Sequence, residues 1–127
     1  PGGKPVIFFS ALILGDENNE IIYPDPGFPI YRSMIKYSGA KPVPLVLSEK
    51  DDFQVNIEKL ESLITNKTSL VIINNPNNPT GSFMQKEKIN SLVKSVFRTI
   101  KKIGTAIMVN IKAGLGASSN GLSDSEK

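Results

Sequence analysis

The sequence predicts an α/β fold: alternating helices and strands forming a mostly parallel sheet in a three-layer arrangement. Three observations predict it. Helical and extended patterns alternate from Pro5 to Ile111, an order that layers helices on a sheet. Leu70-Val71-Ile72-Ile73 is a continuous apolar run with polar ends, as in a strand buried on both faces. Two loops of unusual composition, 24–28 and 75–81, directly follow predicted strands, and in such sheets ligands sit beyond the strands' carboxyl ends.

The elements follow in order. Pro5–Leu14 is almost entirely apolar, and its length favours a buried helix over a strand. Pro5 suits the first helical position, where its missing N–H is not needed. Gly15-Asp16-Glu17-Asn18-Asn19 is a polar turn. Glu20–Tyr23 is a short strand, stopped by the extended loop Pro24-Asp25-Pro26-Gly27. Pro29–Ser38 reads as a helix with Ile30, Tyr31, Met34, Ile35 and Ser38 on one face and Gly39 as its stop. Lys41–Leu47 is strand-like, but Pro42 and Pro44 each remove a ladder donor, so an edge position is expected. Asn56–Ile64 is helical, with Asn56 a candidate N-cap and Ile57, Leu60 and Ile64 inward. Ser69–Asn74 is the buried strand. Gln85–Ile103 is a helix striped by Ile89, Leu92, Val93, Val96, Phe97 and Ile100, with Lys94, Arg98, Lys101 and Lys102 largely opposite. Thr105–Ile111 is a final strand. The expected organisation is one partial domain over 1–111, followed by a loose Gly- and Ser-rich tail over 112–127.

Composition excludes several classes of function. The chain has 127 residues with no Cys, His or Trp. No disulfide framework and no thiolate or imidazole metal site can be built from it, so no metal site is expected. Catalytic triads with a His or Cys member are excluded. The net charge of +3 is too small to argue for nucleic acid, and the four basic residues opposite the stripe of the last helix read as a solvated face. The apolar runs are too short to span a bilayer. The opening Pro1-Gly2-Gly3-Lys4 carries no signal-peptide pattern and reads as part of something longer, and a cytoplasmic setting is the expectation.

Three motifs carry chemistry. Gly2-Gly3-Lys4 precedes a helix, where backbone N–H groups and the helix dipole suit an anion such as phosphate; a plain turn is the simpler alternative. Tyr23-Pro24-Asp25-Pro26-Gly27-Phe28-Pro29-Ile30-Tyr31 fixes the backbone around Phe28. That ring serves equally well as a stacking surface for a flat cofactor or as core. Asn74, Asn75, Asn77 and Asn78 gather carboxamides at a strand end, and Pro76 and Pro79 restrict the loop that holds them. Side-chain-to-backbone turns are the alternative there. Gly114-Leu115-Gly116 lacks the third glycine of a dinucleotide loop, because position 119 is Ser119. Asn66-Lys67-Thr68 is a formal glycosylation sequon read as chance.

In order and spacing, Pro1-Gly2-Gly3-Lys4, the Tyr23–Tyr31 segment and Asn75-Pro76-Asn77-Asn78-Pro79-Thr80-Gly81 resemble the class I/II aminotransferases, the fold-type I pyridoxal-phosphate enzymes related to aspartate aminotransferase. Gly39–Pro44 and Leu60–Leu70 are similar to the family's connecting segments, and the resemblance covers about residues 1–93. It implies that the chain is a fragment of the large cofactor-binding domain. Gly2, Gly3 and Lys4 would hold the phosphate of pyridoxal 5'-phosphate. Phe28 would stack on its ring, and Asn78 would hydrogen-bond the ring's phenolic oxygen. It further implies a parent enzyme of amino acid metabolism, usually a homodimer, that transfers an amino group from an amino acid to a 2-oxo acid.

The C-terminal third departs from the pattern. The family's next strand ends in an aspartate that pairs with the ring nitrogen; here the polar residue is Asn110, at a shifted spacing, and an amide does not supply that charge. No Ser-X-X-Lys element is present, so no Schiff-base lysine and no catalytic residue is assigned, and alone the chain is expected to be inactive. Two other readings remain: a non-catalytic truncated α/β module with a binding role or none, and a generic phosphate- or nucleotide-binding domain.

Overall fold

The structure, a computed structural model, describes residues 2–103 and 107–112. Its elements are α1 (Gly3–Leu14), β1 (Glu20–Asp25), α2 (Ile30–Tyr37), β2 (Lys41–Val46), α3 (Ile57–Leu63), β3 (Thr68–Asn75), α4 (Lys86–Ile103) and β4 (Ile107–Lys112), with a 3-10 turn at Glu49–Asp51. The four described strands form one sheet in the order β2-β1-β3-β4, and every pairing is parallel. Lys112, expected to open the tail, is the last residue of β4; residues 113–127 of the expected tail, with the Gly114-Leu115-Gly116 sequence, lie outside the described residues.

Side-chain alternation divides the sheet's contacts between two helical layers. Ile21, Tyr23, Leu70 and Ile72 pack with Ile7 and Ala11 of α1 and with Tyr31, Met34 and Ile35 of α2. Ile22, Val71 and Ile73 turn the other way, onto Leu60 and Ile64 of the α3 segment and Leu92 and Val96 of α4. The fold is therefore doubly wound and three-layered, and its layered, parallel sheet is what the alternation predicts. A second tie joins α3 to α4: Glu61 Oε1 accepts from Ser95 Oγ and from Arg98 Nη2, the latter at 3.0 Å.

Local chemistry sets the boundaries. Asn56 caps α3 by accepting from Lys59 N at 2.9 Å. Gly39 follows α2 with φ +90°, a conformation that favours glycine at a helix end. β2, with its two prolines, lies at the sheet edge, where missing donors cost least.

Three expectations are corrected. Helix α1 starts at Gly3, so Pro5 is its third residue; a proline is tolerated throughout the first turn, whose N–H groups have no intrahelical partner. Strand β1 runs through Pro24 to Asp25 instead of stopping at Tyr23. Asp25 O accepts from Leu47 N at 2.7 Å on the β2 side. By alternation, Pro24 turns its missing N–H toward β3, where pairing has already ended at Ile22–Val71. Phe97 is 53% exposed: it sits about 140° around the helix from Leu92 and leaves the stripe.

Candidate functional site

The order of the strands locates the site. From β1 the chain crosses to β2 on one side, then returns to β3 on the other. The strand order reverses between β1 and β3, and the crevice outside their carboxyl ends is where such sheets bind ligands. The two strands part there, because their paired register covers only Glu20 to Ile22 of β1. The loops that leave these ends are residues 26–29 and 76–85, which carry Phe28 and Asn78 of the two motifs singled out above.

The first loop is tightly closed. A Cβ on Gly27 would lie 2.1 Å from Pro24 O and 3.1 Å from the Tyr31 ring, so only glycine fits this turn. Tyr31 N donates to Phe28 O at 3.0 Å. Phe28 is half-buried and meets the edge of Tyr31 with ring centroids 5.9 Å apart. The ring packs partly against the core and remains partly open. A recess of about 190 Å³ lies beside it, lined by Tyr23, Pro24, Asp25, Gly27, Phe28, Pro29 and Arg32.

In the second loop the asparagines divide by task. Asn75 is buried and closes a ring with Met84, donating to its O at 3.1 Å and accepting from its N at 2.8 Å. Asn77 is buried and donates through Nδ2 to Thr80 Oγ1 at 2.9 Å and to Pro26 O at 3.2 Å. Its Oδ1 is buried with no hydrogen-bond partner. Asn78 is exposed. Ser82 Oγ donates to Phe53 O at 3.0 Å, and Gln54 Nε2 donates to Phe83 O at 3.2 Å, which ties the loop after β2 to the same assembly. Between the diverging strands lies a cavity of about 10 Å³, bordered by Pro24, Ile73, Asn74, Asn77 and Ser82 among others.

The third motif arrives from the start of α1. Its N-cap is Gly2, with φ +78°, no side-chain cap and no acidic residue in the first turn. A Cβ at Gly2 would meet nothing within 4 Å. The Gly3 and Lys4 N–H groups thus begin a helix without side-chain compensation, the arrangement that suits an anion. Lys4 Nζ stands 5.7 Å from the centroid of the Phe28 ring, within cation–π range. Gly3, Lys4 and Phe28 are thereby gathered at one end of the sheet, and Asn77 links the Phe28 loop to the loop that carries Asn78. Pro1 lies outside the described residues.

Strand β4 runs beside β3 with Asn110 opposite Ile73 and Lys112 opposite Asn75. The Asn110 side chain lies outside the described residues. Among the described residues no cluster of potential metal ligands occurs, and no helix is long and apolar enough to cross a membrane. Sequence reading missed the bond from Asn77 to Pro26. The run of asparagines signals that a loop is being held, but it does not say which amide reaches which backbone.

Comparison with known proteins gives this arrangement a lineage. A family model described as Aminotransferase class I and II matches residues 1–100. An aspartate aminotransferase of Sulfolobus acidocaldarius is 34% identical over 96 residues, covering 74% of this chain and 24% of that protein. One from Musicola paradisiaca is 36% identical over 89 residues, 70% of this chain and 22% of its own. Among solved structures, aspartate aminotransferase from Thermus thermophilus with maleate superposes with a TM-score of 0.75 at 25% identity, over 87% of this chain and 28% of that one. The chain therefore spans about a quarter of the length of the curated relatives it matches. With the family matched over most of its length, the chain belongs to the class I and II aminotransferases.

Proposed function

We propose that this chain is part of the cofactor-binding domain of a pyridoxal-phosphate-dependent aminotransferase, whose parent enzyme moves an amino group from an amino acid to a 2-oxo acid. The observation that carries the reading is the convergence of three motifs at the switch point of the sheet, with Lys4 Nζ 5.7 Å from the Phe28 ring centroid and Asn77 reaching Pro26 O. A generic nucleotide-binding domain would have no use for a stacking aromatic and an ordered asparagine loop together.

The residues present fit the cofactor. The uncapped α1 N-terminus, open above Gly2, offers the Gly3 and Lys4 N–H groups to a phosphate. Pro5 has no N–H to add, so binding rests on those two amides and the helix dipole. Phe28 would cover the face of the cofactor ring and keep water from it. The exposed carboxamide of Asn78 would donate to the ring's phenolic oxygen. Bound pyridoxal phosphate supplies an aldehyde that links to amines and a ring that takes up electrons from the substrate. No lysine of this chain is assigned the covalent role. That lysine, and the group that grips the substrate carboxylate, are assigned to the remainder of the parent enzyme.

A titration of the purified chain with pyridoxal phosphate, followed by induced near-ultraviolet dichroism, tests the reading. The expected result is a saturable band whose midpoint moves about tenfold or more in Phe28→Leu and in Asn78→Ala, the scale of one lost stacking or polar contact. Borohydride reduction should leave no single lysine labelled. Saturable labelling of one lysine would overturn the assignment of the covalent role. A folded chain with no saturable band would leave the family membership intact and favour a truncated module without cofactor.

A further inference from the structure

Two loops that share no sequence neighbourhood present Phe28 and Asn78, and one buried amide joins them. Asn77 Nδ2 has two hydrogens and two acceptors: Thr80 Oγ1 in its own loop at 2.9 Å and Pro26 O, far away in sequence, at 3.2 Å. Pro26 O accepts only, so the nitrogen must face it, which fixes the orientation of the amide. The backbone of Asn77 is also committed, with its N donating to Ser82 O at 2.9 Å and its O accepting from Gly81 N at 2.7 Å. The residue is 6% exposed, and its Oδ1 is buried without a partner.

Leaving that oxygen unpaired is costly. The amide nevertheless stands there with both donors in use. On the far side, the link ends in a rigid element: the turn at Gly27 admits no side chain, and Phe28 follows directly. On the near side, Asn78 is the next residue. A displacement of either loop is therefore passed to the other through this side chain.

We propose that Asn77 is a positioning residue, a strut whose Nδ2 couples the Phe28 loop to the Asn78 loop so that the ring and the carboxamide are held at a fixed separation. The proposal rests on the cofactor reading for its purpose, but the coupling itself is a property of the free chain.

The test uses Asn77→Asp, which keeps shape and volume but replaces the donor with an acceptor facing Pro26 O. Its control is Asn75→Ala, which breaks the Met84 ring and weakens the same loop without touching Pro26. Ring resonances of Phe28, assigned through Phe28→Leu, are read in the free chain by nuclear magnetic resonance, with helical dichroism as the check on folding. The expected result is that Asn77→Asp shifts and broadens the Phe28 signals and Asn75→Ala leaves them in place. With pyridoxal phosphate added, Asn77→Asp should weaken the dichroic midpoint about tenfold, the effect expected of a lost positioning bond. If Asn77→Asp does not fold, Asn77→Ser, too short to reach Pro26 O, is read in the same way. Unmoved Phe28 signals in a folded variant overturn the strut, whatever the cofactor does. Moved signals with no dichroic band in either chain keep the strut and overturn the cofactor reading.

Discussion

Glu20 fastens the amino end of the sheet. Its Oε1 accepts from Lys41 Nζ at 2.9 Å and its Oε2 from Thr65 Oγ1 at 2.8 Å, so one carboxylate joins β1, β2 and the turn before β3. The Lys41 hydrogen bond is the main cause that holds its pKa below the ordinary 4.5. A carboxylate more acidic in the folded chain than in the unfolded one stabilises the fold fully above the unfolded value, and that contribution fades as pH falls through the folded one. Lys41 is largely exposed, so the effect is about 1 kcal/mol or less. Thermal unfolding midpoints of the native chain and of Glu20→Gln should therefore differ at about pH 6 and converge toward about pH 3; parallel curves would contradict the assignment. At this scale the sequence was only partly legible. Motif resemblance proposes Gly2, Gly3, Lys4, Phe28 and Asn78 as cofactor contacts. Four similar amides lie within a few positions, and only packing shows that Asn75 and Asn77 are buried and bonded while Asn78 faces outward.

At the scale of elements the sequence is far more informative, because each helix and strand announces itself through period and boundary chemistry. Asn56 is a clear case. The sequence marks it as an N-cap, and its side chain accepts from Lys59 N. Asn56→Ala should cost about 1 kcal/mol in a denaturant titration, with no change in the slope of the transition; Asn56→Asp should retain most of the stability. The edge position of β2 was legible for the same kind of reason, since Pro42 and Pro44 each lack a donor. The misread boundaries also have local causes. Pro24 looks like a strand terminator, but it is harmless where the neighbouring strand has already turned away. Phe97 looks like part of an apolar stripe until its angular position is counted. The 3-10 turn at Glu49–Asp51, and the positive φ of Asp52 and Phe53 after it, carry no glycine to signal them.

For the molecule as a whole, α1 is the conspicuous element. Ile7 and Ala11 are buried, yet Val6 is 53%, Phe9 58% and Ile13 78% exposed. An apolar face of this kind on a chain that spans about a quarter of its relatives' length favours self-association. In sedimentation velocity the native chain should sediment in a concentration-dependent way. Phe9→Lys combined with Ile13→Lys should suppress this with little loss of helical dichroism; an unchanged profile would show that the face does not drive association. The amino-acid sequence by itself determined the alternation of helix and strand, the buried strand β3 and the two loops at strand ends, because periodicity and proline and glycine chemistry act over a few residues. Only the tertiary structure decided that the chain reverses its strand order between β1 and β3, that Lys4 stands near the face of Phe28, and that Asn77 reaches Pro26. These contacts join residues distant along the chain, and they form only when the sheet's pairing brings its carboxyl ends together.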